Sequence, residues 1–218
     1  MTVRSLGDQS TEALIQALDT DNLEIRSAAT WYLGRRACNG ELELVPHLID
    51  LLVDPHIEVS EVAVEHLQRV GAPAVDQLLA ALRGPGRHPS IRKMAARGLG
   101  NIHDDRALEP MLSILQDRKE DTGVRHLCAF YLGRLGDVRA LEPLGGILTA
   151  PDEYPEVRGA AAWALKELGD QRAVPFLLAA LNDDVVYHPA WNTLVGLVGA
   201  AAADRLRQSA GSSRTDQG

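Results

Sequence analysis

The chain is poor in aromatic residues, with three Trp, four Tyr and two Phe in 218 positions. Its 45% hydrophobic content is carried by Ala, Leu and Val instead, the composition expected where helices approach closely through small-to-large contacts. Cysteine is almost absent. Cys38 and Cys128 lie far apart and form neither a disulfide framework nor a metal-ligand spacing, so both read as reduced, half-buried helix residues. No stretch approaches the roughly 18 apolar residues that a membrane span requires, and the N-terminus has no basic region leading into an apolar run. These features together give the expectation of a soluble, cytoplasmic protein. Basic residues are also in deficit, 22 Lys and Arg against 30 Asp and Glu, for a net charge of −8. That balance counts against a general polyanion binder, whose affinity rests on Lys and Arg neutralising phosphates. A nucleophile elbow, a phosphate-binding Gly loop and a dinucleotide fingerprint are all missing, so no cofactor is expected.

What the chain does contain is a repeat. The dipeptides Ile25-Arg26, Val59-Ser60, Ile91-Arg92, Val124-Arg125, Val157-Arg158 and Val186-Tyr187 are each followed, seven positions after the second residue, by a leucine: Leu33, Leu67, Leu99, Leu132, Leu165 and Leu194. Successive dipeptides are separated by 34, 32, 33, 33 and 29 residues, the period of a helical-hairpin array. In such an array each hairpin buries its apolar face on its neighbours. Most of the sequence is therefore committed to stacking.

The punctuation keeps the same period. Ala107-Leu108-Glu109-Pro110 recurs as Ala140-Leu141-Glu142-Pro143, and Leu135-Gly136-Asp137 as Leu168-Gly169-Asp170. Proline in the first turn removes an N–H that has no helical partner, and glycine past the last turn supplies a left-handed cap. First helices are predicted near 10–18, 42–52, 73–82, 106–116, 139–149 and 172–182. Second helices are predicted near 24–37, 58–70, 90–102, 123–135, 156–168 and 188–197. A capping helix over 200–208 closes a single array over 1–208, and the polar segment 209–218 is expected to be disordered. The longer turns Gly84–Pro89 and Pro151–Pro155 are candidate rim loops.

The succession Ala-Leu-Glu-Pro-Leu, an Asp-containing turn, Val-Arg, Ala-Ala, Leu-Gly and Leu-Gly-Asp resembles HEAT repeats, in particular the bacterial HEAT-like repeats of phycobilisome lyases. The resemblance covers about 10–197 and is strongest over 90–183. It implies an all-α fold, a right-handed α-solenoid of about six hairpins whose second helices line the concave surface. It leaves function open, because this architecture also serves scaffolds, chromophore-handling proteins, a class of DNA glycosylases and an iron hydroxylase. The hydroxylase reading fails on ligands. Deoxyhypusine hydroxylases carry His-Glu pairs just after this dipeptide, whereas His126 is followed by Leu127 and His188 by Pro189, so no metal site is expected.

Two sets of residues stand out within the repeats. Arg26, Arg92, Arg125 and Arg158 are expected to form a structural ladder, each guanidinium facing acids of the turns such as Asp21, Asp54, Asp117, Asp152, Glu153 and Asp183. Ser60 interrupts this ladder, which marks the second unit as the weak point and predicts that Ser60→Arg raises Tm. Counting from the ladder position, residues +1, +5, +8 and +9 lie across the helix axis from the apolar stripe. At +5 stand Trp31, Glu65, Arg97, Phe130, Trp163 and Asn192, and at +9 Arg35, Arg69, Asn101, Arg134 and Glu167.

Aromatic and Arg side chains on a face that stacking does not require are the types enriched in binding hot spots. The candidate seam is Trp31, Glu65, Arg69, Arg97, Phe130, Arg134 and Trp163, centred on Arg97, Phe130, Arg134 and Trp163. The same aromatics also fit packing against the next second helix. The leading reading is a non-enzymatic adaptor taking a protein or peptide in its groove. The alternative is a lyase-like protein holding a tetrapyrrole or other anionic small molecule, with Arg97 and Arg134 on its carboxylates and Phe130 and Trp163 on its rings. A DNA-binding array is disfavoured by Glu65 and Glu167 on that same face.

Overall fold

Residues 3–84 and 88–215 are described by a computed structural model, the side chains of 3–5 and 211–215 excepted. They fold as helices throughout, without a strand among the described residues. The chain forms two compact units, 1–107 and 108–218, where the sequence anticipates one array. The boundary at Ala107–Leu108 carries no Gly, Pro or Ser linker, so composition gives no sign of it.

Unit 1 contains α1 (Thr11–Gln16), α2 (Leu23–Cys38), α3 (Val45–Asp50), α4 (Ile57–Val70), α5 (Val75–Arg83) and α6 (Pro89–Ile102). Here α2 packs on α4 and α4 on α6, the second helices forming a row, while α5 closes a hairpin with α6. The core is the apolar stripe of these helices, with Leu33, Val59, Leu67, Leu78, Leu82 and Leu99 fully buried. Of the anticipated rim loop Gly84–Pro89, residues 85–87 lie outside the described residues.

Unit 2 contains α7 (Leu108–Gln116), α8 (Thr122–Leu135), α9 (Leu141–Thr149), α10 (Pro155–Leu168), α11 (Val174–Ala180), α12 (Tyr187–Val198) and α13 (Ala200–Thr215). Its second helices form the row α8, α10, α12, with α7, α9 and α11 behind them and α13 against α12. The six second helices begin and end within a residue or so of the predicted spans. The first helices open differently from the expectation. Residues 42–44, 72–74, 105–107, 138–140 and 171–173 each form a 3-10 turn ahead of the α-helix.

At three of these turns, Asp104, Asp137 and Asp170 accept a hydrogen bond from the backbone N–H two residues on. The side chains of Arg139 and Arg172 then close onto the same carboxylates, 2.6 and 2.7 Å away. The Arg172 fork holds Asp170 down to about 2.

Two other expectations change. Helix α13 runs to Thr215, seven residues past the end predicted at Gln208, since Ser209 to Thr215 contain no proline to stop it; residues 216–218 of the anticipated tail lie outside the described residues. The cysteines are not half-buried: Cys38 is exposed and Cys128 fully buried.

Close approach along the second-helix rows is set by glycine. A Cβ on Gly133 of α8 would lie 2.5 Å from the Ala164 Cα of α10, and one on Gly34 of α2 would lie 2.2 Å from the His66 ring of α4. His66 is buried there, its Nδ1 2.9 Å from the Val62 carbonyl.

Candidate partner-binding face of the second helices

The ladder arginines share a backbone contact, to which Arg26, Arg125 and Arg158 add a second with an acid of the next turn, and both follow from where the repeat places them. Each sits in the first turn of a second helix, beside the end of the preceding first helix, whose last carbonyls have no helical partner. Arg92, Arg125 and Arg158 donate Nε to the carbonyls of Leu82, Leu115 and Leu148 at 2.7, 3.0 and 2.9 Å. In Arg125 and Arg158 the guanidinium then reaches forward to the next turn. Arg125 forks onto Glu153 at 2.6 and 2.5 Å, and Arg158 meets Asp183 at 2.8 Å. In α2, Arg26 holds the Thr20 carbonyl at 2.6 Å, and its Nε lies 3.0 Å from Asp54 out of line for a hydrogen bond. These arginines are occupied by the fold.

The Pro151–Pro155 turn is anchored by this ladder. Glu153 is buried and also accepts the Tyr154 N–H at 2.9 Å, while Arg118 grips Asp152 at 2.8 and 3.1 Å. Burial pushes the Glu153 carboxyl up, but the Arg125 fork and the Tyr154 N–H overcome it and hold it below the usual range. Of this turn only Tyr154 presents a large exposed side chain.

Of the predicted outward columns, +5 and +9 reach the surface, whereas at +8 Gly34, Gly100 and Gly133 are buried where the helices pack closely, and the two units use the exposed positions differently. In unit 1 the face is closed by its own partners. Trp31, 39% exposed, meets the rings of Tyr32 and His66 edge-on and carries the Arg35 guanidinium 5.0 Å above it. Glu65 pairs with Arg69 at 2.7 Å, one turn apart. Arg97 of α6 forks onto Glu61 of α4 at 2.6 and 2.7 Å, which holds the Glu61 carboxyl below its ordinary value. The sequence assigned Arg97 to a ligand; the structure engages it as a cross-helix clamp, because the +1 residue of the preceding second helix is an acid.

In unit 2 the face is open. Phe130 and Trp163 stack with ring centroids 3.9 Å apart and planes 9° from parallel, both half-buried. The contact between α8 and α10 at Gly133 and Ala164 brings the two rings together. Packing against the next second helix, the plainer of the two readings, therefore accounts for the inner faces of the pair. Arg134 is exposed and makes no hydrogen bond or ion pair among the described residues. Beyond Trp163 lies a groove of about 340 Å³ between α10 and α12, lined by Gly159, Trp163, Lys166, Pro189, Asn192 and Thr193. Thr193 fixes its floor by donating to the Ala162 carbonyl at 3.0 Å.

Lys166 and Gly159 were missed as site residues, although +8 and +1 were already assigned to the outward face. The seam thus divides. Phe130 and Trp163 come together with Arg134 and Lys166 on the face of unit 2, while Trp31, Glu65, Arg69 and Arg97 belong to the paired face of unit 1.

Repeated helical hairpins whose second helices align in rows define an α-solenoid, a class in which the outward face of those helices is the surface left free for binding. HEAT-repeat models match the chain at residues 45–122, 75–154 and 109–188, and the chain belongs to the HEAT-repeat family. No curated protein matches it in sequence. Among solved structures, the complex of CpcE and CpcF of phycocyanin lyase from Nostoc sp. PCC7120 superposes with a TM-score of 0.60 at 24% identity, over 72% of this chain and 99% of that one. Yeast importin-beta superposes at 0.61 and 17% identity, over 89% of this chain and 31% of its own. Human deoxyhypusine hydroxylase gives 0.51 at 22% identity, over 89% and 77%. At these identities the likeness is one of fold. Among the described residues no three His, Cys, Asp or Glu side chains lie close enough to hold a metal ion, and no helix is long and apolar enough to cross a membrane.

Proposed function

We propose that the chain is a non-enzymatic HEAT-repeat adaptor that binds a protein or peptide partner on the outward face of its second helices. The observation that carries this reading is the open surface of unit 2. A stacked Phe130–Trp163 pair and an exposed Arg134 occupy positions that burial of the apolar stripe does not need. Large aromatics and Arg combine contact area with directed polar contacts, and they dominate binding energy where they cluster.

The double variant Trp163→Ala/Arg134→Ala tests it. A partner captured with the wild-type chain is lost from the variant, while the helical circular dichroism signal is retained. Tm falls only modestly, since an aromatic stack contributes about 0.5–1.5 kcal/mol beyond its buried area. Equal capture by variant and wild type overturns the assignment.

The small-molecule reading finds less support here. A flat ligand gripped between Phe130 and Trp163 would have to part rings already 3.9 Å apart, and Arg97 is held by Glu61. Such a ligand is left with the outer face of Trp163, and mixing with a bilin would reveal it through altered visible absorbance. A nucleic-acid partner is opposed by the net charge of −8 and by exposed Glu167 beside Lys166.

A further inference from the structure

Within the adaptor reading, on which this step rests, we propose that the groove between α10 and α12 is an anchor pocket that takes one apolar side chain from an acidic segment of the partner. Three observations converge on it. The first is shape. Gly159 stands on the groove wall, and a Cβ added there would meet nothing within 4 Å, so the groove opens above a helix surface kept bare. Trp163 and Pro189 supply apolar walls, and the Thr193 bond to the α10 backbone holds α12 in place. A half-open recess of about 340 Å³, walled by Trp163 and Pro189 and otherwise lined by Gly159 and the polar Lys166, Asn192 and Thr193, suits insertion of one side chain such as Leu or Phe with polar groups of the partner around it.

The second is charge. The chain carries eight more acids than bases, and its exposed arginines are largely spent on neighbouring carboxylates: Arg69 on Glu65, Arg106 on Asp76 and Asp104, Arg139 on Asp137, Arg172 on Asp170. Lys166, on the groove itself, and Arg134, at the +9 position of the neighbouring α8, have no such partner among the described residues. Beside the exposed Glu167, which opposes an extended polyanion, Lys166 and Arg134 remain unneutralised, and cations in that state favour a short acidic segment over a basic one. The third is the Phe130–Trp163 stack, which holds the indole rigid before any partner arrives and so lowers the ordering cost of binding.

The test uses the full chain and three short synthetic peptides. One is rich in Glu with a single central Leu, the second has Gln for every Glu, and the third has Ser for the Leu. Isothermal titration should show binding of the first and at least about tenfold weaker binding of the other two, a loss of one anchoring interaction each. Gly159→Leu fills the groove from a helix position with open space, so the fold is kept, and it weakens the first peptide by about tenfold or more. Lys166→Glu does likewise, and its effect shrinks as salt is raised. As a control, Gly146→Leu, on α9 with equally open surroundings, leaves binding unchanged.

The proposal is overturned if the acidic peptide does not bind, if the Gln peptide binds equally, or if Gly159→Leu has no effect. The adaptor reading is separable from it. A native partner released by Trp163→Ala/Arg134→Ala but retained by Gly159→Leu would sink the pocket and leave the face standing.

Discussion

Arg125, in the first turn of α8, and Glu153, in the turn before α10, form a fully buried fork, with 1% and 0% of their side chains exposed. Twenty-eight residues of chain separate them, and the pair ties one hairpin to the next. The guanidinium is further satisfied by two bonds to the Leu115 carbonyl, and Glu153 by the Tyr154 N–H. Such a pair is costly to break from one side, because the survivor is a buried charge without its counter-ion.

Glu153→Gln is therefore expected to lower stability by about 3–5 kcal/mol, while replacing both members by apolar residues of similar volume costs far less. The pH dependence follows from the depressed Glu153 carboxyl. Its contribution is fully present above the unfolded value of about 4.3 and is lost as pH falls through the lower folded value. Acid titration of stability by urea unfolding should show a steeper fall below about pH 4 in the wild type than in Glu153→Gln; parallel curves would refute the assignment.

The ladder geometry reverses the expectation for Ser60. Acids that receive a ladder Arg lie four to six residues before the next ladder position: Asp54 before Ser60, Glu153 before Arg158, Asp183 before Tyr187. In the corresponding window before Arg92 the sequence reads Gly86, Arg87, His88. Ser60 is buried and bonds the Ile57 carbonyl at 3.0 Å, and the sequence of that window offers no acid to receive an Arg placed there. Ser60→Arg should lower stability, on the order of 3 kcal/mol, because it buries a guanidinium without a counter-ion. A higher Tm for the single variant contradicts this account.

His103 ends α6 with φ 58°, the left-handed conformation that Gly136 and Gly169 adopt after α8 and α10. A side chain in this region carries a backbone penalty that glycine escapes. His103→Gly is expected to raise stability by about 0.5–1 kcal/mol, read as an increase in Tm. No change or a decrease would mean that the Nδ1 contact to the Asn101 carbonyl outweighs the strain.

Two glycines one helix apart should respond with opposite signs to the same substitution. Gly146→Ala adds a methyl to open space and gains helix propensity, about 0.5–1 kcal/mol. Gly133→Ala drives a methyl into the Ala164 backbone and should cost about 1–3 kcal/mol despite the same gain in propensity. Thermal unfolding of the two variants distinguishes a spacing role for Gly133 from simple tolerance.

The helices, their order and the outward columns were legible in the sequence, because each depends on residues within a turn or two. The 3.6-residue period marks the buried leucines, Asp and Asn mark helix starts, and Gly136 and Gly169 mark helix ends. Which member of a column is free was not legible. Arg97 and Arg134 look alike in one dimension, yet Arg97 finds Glu61 on the neighbouring helix and Arg134 finds no acid among the described residues. Nor did the sequence disclose the division at Ala107–Leu108 or the groove beside Gly159.

By itself the sequence determined the repeat, the register of every second helix and the outward +5 and +9 positions, since these are consequences of local periodicity and of hydrophobic burial. Tertiary structure decided which charges are neutralised, which aromatics stack and where a recess remains. Those outcomes depend on distances of a few ångströms between side chains that the chain separates by some thirty residues, and packing sets such distances where periodicity does not.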